Sequence, residues 1–527
     1  MVQRTRRDFL AEVGRGMVVA SVGIGMASEL GLATPALADD AEALTFGEME
    51  SLVGLMQETP VAKLLPKLVA ELKSGTELKK LVAAAALANA RTFGGEDYVG
   101  FHTMMALSPA FAMARELPTE RQALPVFKVL YRNTNRIQEF GGRMREVLKR
   151  VAPVDTRRVR PTGELLRDEI RRRDTAAAER TLAALANDPP AAFNELLYAV
   201  HDNTEVHRIV LPYRAWDLLD IVGKEHAHTL LRQSVRYCVK AESWPRNATW
   251  DEPRTLLPRL LEEHHLLGRK PGAKPAEDGW VDQMVQTIMK SSPAQAAAAV
   301  AAALAEGIAP DALGEAIALV ANQLVLRDPG RPVQQESPGK PIGSTHGDSI
   351  GVHASDSANA WRNMSKIAHG GNGASFARNV FASLILGAYQ VALDRDQRGG
   401  DFKSWQPLPV PGHVDRLKGT TDPAILLREL DVAVRDSLQG RAAAVVHRYG
   451  ELAPDRPRPV LDLLLKYAVS EDGALHAEKY YRTVCEEFAN TRPAFRWRQI
   501  VALARVTASE FGRPAPGYAE ACGLLKV

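Results

Sequence analysis

The chain is expected to be all-α, a helical bundle or a solenoid-like array of antiparallel helical hairpins, and three observations lead there. Apolar residues recur at three- and four-residue spacing in almost every segment after residue 43. Alternating β-branched stretches are nearly absent, and Pro and Gly punctuate the periodic segments at helix-length intervals. With 527 residues, 46% hydrophobic and 24% charged, the chain can bury one large core or several smaller ones. A net charge of +3, without basic blocks interleaved with aromatics, argues against a nucleic-acid partner.

The N-terminus reads as an address. Thr5-Arg6-Arg7-Asp8-Phe9-Leu10 resembles a twin-arginine export motif, followed by a weakly apolar, Gly-containing segment, Met17 to Met26, too short to span a membrane. Ala36-Leu37-Ala38 fits a small-x-small cleavage site, so residues 1–38 are expected to be a signal peptide and the mature chain to begin near Asp39. The twin-arginine export machinery is then a partner, and the destination is the periplasm or the exterior. Proteins exported this way cross the membrane folded, and many carry a cofactor. No other apolar run reads as a membrane span, and the mature protein is expected to be soluble. Three isolated cysteines, Cys238, Cys485 and Cys522, give no CxxC motif and no disulfide framework, and buried unreactive thiols are the expectation.

Helices are expected over about 46–57, 61–73, 77–91, 102–116, 121–132, 163–185 and 191–200. The basic run from Arg143 to Arg173 includes Asp168 and Glu169 and reads as a solvated face. Pro/Gly-rich segments at 269–278 and 328–344 mark loops, the second long enough for a lid or a linker. The first divides the mature chain into an N-terminal helical half, 39–268, and a C-terminal half, 269–527, packed upon it.

Four of the thirteen histidines lie between His201 and His228. Pro212 should end or kink the helix through His201 and His207, with a second helix from Tyr213 to Ile221 and a third from near Lys224. On that third helix His226 and His228 stand about 200° apart, so a two-histidine clasp on one regular helix is excluded.

The halves resemble each other. Val69 to Leu87 and Ala301 to Leu319 align on Gly75 and Gly307 as two helical hairpins with Gly at the turn. Each is followed by Gly-x-His at a helix start, Gly100-Phe101-His102 and Gly351-Val352-His353. An Asp-Leu-Leu helix then precedes a helix with an early histidine and a later cysteine: Asp217 with His228 and Cys238, and Asp462 with His476 and Cys485. Two pseudo-symmetric halves would place His102, His228, His353 and His476 equivalently, facing one cavity as acid/base groups or ligands, or each capping its own helix.

A transition-metal site needs three or four converging ligands with partners fixing each imidazole. His201 and His207 are the metal candidates, since Asp202 and Glu205 could orient His201; Asp472 could do the same for His476. Glu225/His228 and Glu262/His265 have di-iron spacing but lack the accompanying carboxylate pattern. The stretch from His346 to Gly373 reads as a pocket rim, with Ser355 or Asp356 capping the helix that follows. No phosphate-binding loop, GxGxxG or GxSxG accompanies these residues, which argues against a Rossmann cofactor domain and a serine hydrolase.

Leu304 to Leu319, then Val352-His353-Ala354 entering a helix with Ala360 and Arg362, then His476-x-x-Lys479, is similar to the questin-oxidase-like family, and His102 with a histidine at 201–207 would fit its first half. The twin-arginine segment and the loops at 328–344 and 394–416 depart from that pattern. The resemblance implies oxygen-dependent, Baeyer–Villiger-type ring opening of an aromatic polyketide with NADPH as electron source, the histidines polarising a carbonyl or shuttling protons. Two functions fit the sequence. One is an exported oxidoreductase with a histidine-lined cavity for a small organic, aromatic ligand, with or without a transition metal. The other is a non-enzymatic periplasmic helical scaffold or binding protein whose histidines are structural.

Overall fold

Helices make up nearly all the regular structure in the computed structural model, which describes residues 43–338, 340–347, 349–397 and 401–527. Extended pairing among the described residues is limited to three isolated bridges. The export motif and cleavage site at 1–38 lie outside the described residues. Residues 45–527 form a single packed unit, in which both helical halves participate.

Twelve helices position the site. In the first half they are α1 (Leu64–Lys73), α2 (Leu78–Phe93), α3 (Tyr98–Ala114), α4 (Ala123–Phe140), α5 (Val206–Asp217) and α6 (Ala227–Ala241). In the second they are α7 (Pro293–Ala305), α8 (Pro310–Arg327), α9 (Ile350–His369), α10 (Ala374–Asp396), α11 (His476–Asn490) and α12 (Trp497–Glu510).

The packing repeats. Helix α3 lies on α2 and α4, as α9 lies on α8 and α10; α1 packs on α4 as α7 packs on α10; α5 meets α6 as α11 meets α12. The turns between α1 and α2 and between α7 and α8 use Gly75 and Gly307 at φ of 99° and 86°, which side chains other than Gly adopt at a cost. The Gly-x-His glycines have a packing reason. A Cβ on Gly100 would come within 2.6 Å of the Phe93 ring, and one on Gly351 within 2.6 Å of the Val325 backbone. Bare backbone at these positions lets α3 and α9 cross α2 and α8 closely, just before each histidine.

Four expectations change. The helix expected over 163–185 is two, Gly163–Arg171 and Thr175–Ala183, because Arg173 turns to φ 61° and Asp174 caps the second by accepting from Ala177 N. Helix α5 runs through Pro212 to Asp217, the lost backbone bond being outweighed by burial of Ile209, Val210, Leu211, Tyr213 and Ala215. Ser349, not Ser355 or Asp356, caps α9 by accepting from Val352 N, which places Ser355 and Asp356 inside the helix and buried. Helix α10 is long and apolar enough to cross a membrane by length and composition, yet 83% of its apolar window is buried inside the protein as a core helix.

At the centre, α3, α5, α9 and α11 form four contacts around a common axis. Helix α3 meets α5 and α9 meets α11 within the halves, while α3 meets α11 and α5 meets α9 across them. Lys128 on α4 fixes the start of α11. Its fully buried ammonium pairs with Glu478 at 2.7 Å and donates to the carbonyls of Ala468 (2.8 Å) and Glu471 (2.6 Å).

Lys128→Met is expected to cost about 3–5 kcal/mol in urea unfolding, because it strands the Glu478 carboxylate in the core. A second prediction concerns pH. Burial lifts the Asp394 carboxyl from 3.8 to about 8, only partly opposed by the Gln397 side chain. Its pKa is higher folded than unfolded, so its stability contribution is complete at acid pH and is lost as pH rises from near 4 through 8. Asp394→Asn should therefore match the wild type at pH 4 and exceed its unfolding free energy at pH 8 by at least about 1 kcal/mol.

Candidate functional site

The four central helices begin at the same end of the bundle, and each carries a histidine there. His102 is in the second turn of α3, His207 and His353 are in the first turns of α5 and α9, and His476 is the first residue of α11. Their rings form a closed circuit. Centroids are 4.8 Å apart for His102 and His207, 6.1 Å for His207 and His353, 5.3 Å for His353 and His476, and 5.3 Å for His476 and His102. Two nitrogen pairs face each other inside the circuit: Nε2 of His102 and His207 at 3.2 Å, and Nε2 of His353 and His476 at 3.3 Å.

Backbone and carboxylate acceptors set the tautomers. Nδ1 of His102 meets the Tyr98 carbonyl at 2.7 Å, Nδ1 of His476 the Ala474 carbonyl at 3.1 Å, and Nδ1 of His207 the Glu205 carboxylate at 2.6 Å. These oxygens only accept, so each Nδ1 is the donor and each neutral ring presents an Nε2 lone pair to the centre. Burial, reinforced by the Lys479 ammonium, holds His102 and His476 well below the usual imidazole range. The positive ends of four helices act in the same direction.

Glu205 is the best-anchored member of the surroundings. It caps α5 by accepting from His207 N and Arg208 N, both at 3.1 Å, and accepts from the Tyr237 hydroxyl at 2.7 Å. Burial works against its charge, but the bonds from His207 and Tyr237 prevail and bring it down to about 2.

One turn deeper a polar column begins. Asp356 follows His353 on α9, and Lys479 follows His476 on α11; both are buried. Burial lifts the Asp356 carboxyl, against the pull of Lys479 and Arg214, and lowers Lys479 to about 8, against the pull of Asp356. Thr483 donates to Asp356 at 3.0 Å and accepts from Arg214 at 3.3 Å, and Arg214 lies 3.4 Å from Asp217 and 3.8 Å from Glu486. Charge and hydrogen bonding thus continue along the bundle axis from the histidines towards the C-terminal end of α5.

The histidine circuit has one face nearer the solvent. His102 and His476 are buried, whereas His353 is half-buried and the His207 side chain is 12% exposed. Tyr98, 62% exposed, stands with its ring 4.4 Å from that of His102 and 5.7 Å from that of His207. On the other side, the loop following α8 closes over His476. Thr345 N donates to the Ser509 hydroxyl at 2.6 Å, Gly347 N donates to Glu510 at 3.0 Å, and a Cβ on Gly347 would fall 1.9 Å from that of His476. The stretch read as a pocket rim is therefore part cover and part buried helix.

The sequence-predicted residues divide. His102, His353 and His476 come together, but His228 does not join them. It starts α6 beside Glu179 and Arg232, where burial and then Arg232 push its imidazole down to about 4. His207 takes its place, because the true counterpart of α11 is α5, the helix that packs on α3 and α9. Of the two metal candidates, His201 is also elsewhere. Its Nδ1 faces the Arg378 guanidinium at 3.3 Å and its Nε2 the Ser383 hydroxyl at 3.4 Å, so a cationic donor occupies the lone pair that a metal would need. The carboxylates move too. Asp202 forks with Arg171, Asp472 pairs with Arg132, and Glu205 orients His207 instead of His201. The four rings lie against one another at centroid spacings of 4.8 to 6.1 Å. Cavities of about 670 and 340 Å³ lie at the surface, around His413 and Arg441 and around Ser344 and Arg513, without any of the four histidines in their linings. The three cysteines are unpaired.

Sequence reasoning missed Lys479, Asp356 and Glu205 as a set. Lys479 and Asp356 each stand three residues after a site histidine, which is one helical turn, and that spacing was readable once the histidines were known. Comparison with known protein families, with curated proteins and with solved structures finds no match for this chain.

Glu205→Gln should remove the charge at the α5 cap and the anchor of the His207 ring. The expected outcome is a loss of about 1–2 kcal/mol in unfolding free energy and, in imidazole ¹⁵N spectra, a shift of His207 from the Nδ1–H tautomer to a mixture.

Proposed function

We propose that the protein is an exported oxidoreductase acting on a small organic molecule, with His102, His207, His353 and His476 as its working centre. One observation carries the reading: four imidazoles from four helices form one ring circuit, their Nε2 atoms facing each other in two pairs at 3.2 and 3.3 Å. Histidines that only stabilise helix starts have no reason to converge from four helices and both halves of the chain. Neutral imidazoles with free lone pairs can accept protons from a bound substrate, polarise it through a bound cation, or do both. The His207–His353 side, nearer the solvent, is where a substrate would approach.

Further support comes from the column beneath. An amine and a carboxyl, each shifted towards neutrality, sit one turn below the histidines, an arrangement suited to exchanging protons during a redox step. The twin-arginine segment supports export and agrees with a centre completed before transport. The questin-oxidase-like resemblance supports oxygen as oxidant and a reduced nicotinamide as electron source; without a nucleotide-binding motif, that cofactor would act as a diffusible co-substrate.

The test is oxygen uptake by the mature chain, supplied with NADPH and a panel of small aromatic ketones, quinones and phenols. Turnover of at least one compound is expected, falling at least about 100-fold in His353→Ala and His207→Ala and staying within about twofold in His228→Ala. Absence of turnover across the panel, or equal turnover in His353→Ala, would overturn the reading and leave the helical scaffold.

A further inference from the structure

We infer that the four histidines form a mononuclear transition-metal site, each giving Nε2 to one ion. This deepens the oxidoreductase reading and rests on it for its purpose, though not for its geometry.

The facing nitrogens carry the inference. The Nδ1 atoms of His102 and His207 both donate outward, so when both rings are neutral their Nε2 atoms, 3.2 Å apart, are both acceptors with no proton to share. Two lone pairs held at that distance repel unless a cation lies between them. The same spacing, 3.3 Å, separates the Nε2 atoms of His353 and His476. Four nitrogens at about 2.0–2.1 Å from a metal in a tetrahedron stand about 3.3–3.4 Å from one another, and their ring centroids about 5 Å. Both nitrogen pairs meet that requirement, as do three of the four centroid spacings, 4.8, 5.3 and 5.3 Å.

The fourth edge is open. His207 and His353 are 6.1 Å apart, and among the described residues no group of three or more His, Cys, Asp or Glu side chains is placed to hold a metal ion as the chain stands. Closing the set requires a shift of about 1 Å across that edge, which lies on the less buried side of the circuit. An ion held by four imidazoles takes an added ligand by expanding to five coordinates, and the His207–His353 edge, on the less buried side, is where that ligand would enter.

The surroundings fit a metal. Ligating imidazoles donate their other nitrogen to a carbonyl or carboxylate, and His102, His207 and His476 all do so, His207 to a carboxylate that Tyr237 holds in place. The ligand set fixes the class of ion. Four neutral nitrogens without thiolate or directly placed carboxylate suit iron, cobalt, copper or zinc, and exclude calcium and magnesium, which take oxygen. Lys479 opposes a cation at the centre, and Glu205 and Asp356 offset it.

The test uses the full mature chain, stripped with chelator and titrated separately with Fe(II), Co(II), Cu(II) and Zn(II). One equivalent of metal per chain is expected by elemental analysis, with cobalt giving visible bands that azide perturbs through the open edge. His353→Gln, His207→Ala and Glu205→Gln should each weaken cobalt binding at least about tenfold, while circular dichroism of the metal-free variants matches the wild type. His228→Ala should bind as the wild type does. Substoichiometric uptake of all four ions by folded protein would overturn the inference, as would tight binding unaffected by His353→Gln and Glu205→Gln. Loss of metal binding is separable from failure of the oxidoreductase reading. Turnover that persists in metal-free protein and still falls in His353→Ala keeps the histidines as acid/base groups and discards the metal.

Discussion

The convergence of four helix N-termini on one point constrains everything else in this protein. Helices begin with unpaired N–H groups and a positive partial charge, and placing four such ends together is unfavourable unless their near ends are uncharged or carry electron pairs. Neutral imidazoles satisfy that requirement. Glu205 and the carbonyls of Tyr98 and Ala474 take the Nδ1 protons of His207, His102 and His476 outward, so these three rings, when neutral, carry their lone pairs on Nε2. The outer helices serve this arrangement: α2 and α8 set α3 and α9 through close glycine contacts, and α4 sets α11 through the buried Lys128–Glu478 pair.

The repeated packing of the two halves builds the arrangement. Each half contributes one histidine on the helix after its Gly-x-His motif and one on the helix that packs against it, and the central contacts between halves, α3 with α11 and α5 with α9, complete the circuit. The halves differ one turn below the histidines. Lys479 and Asp356 have no like-charged counterparts one turn after His207 and His102, where Val210, Leu211, Met105 and Ala106 stand. The amine and the carboxyl at the top of the polar column, Lys479 and Asp356, therefore come from the second half, and Arg214 and Asp217 continue the column from the first.

Burial sets the character of the centre. The same low-dielectric surroundings that hold His102 and His476 well below the usual imidazole range lower Lys479 and raise Asp356, so burial disfavours the charged form of each. The loop over His476 and the exposed Tyr98 beside His102 define unequal approaches, covered on one side and open on the other.

The sequence by itself determined the all-helical class and the turns at Gly75 and Gly307, and it singled out His102, His353 and His476 as residues near helix starts, because period, glycine placement and helix-start position are local signals. Other features depended on partners distant in the chain. His228 and His207 both lie near helix starts in the same histidine-rich stretch, and only the packing of α5 against α3 and α9 selects His207. His201 likewise has a carboxylate neighbour in sequence, but its lone pair is taken by Arg378, 177 residues away. Pro212 weakens a helix locally, and burial of its neighbours restores it. Which histidines meet is a matter of helix register and crossing, set by side-chain volumes across the whole core, and those are decided only in the tertiary structure.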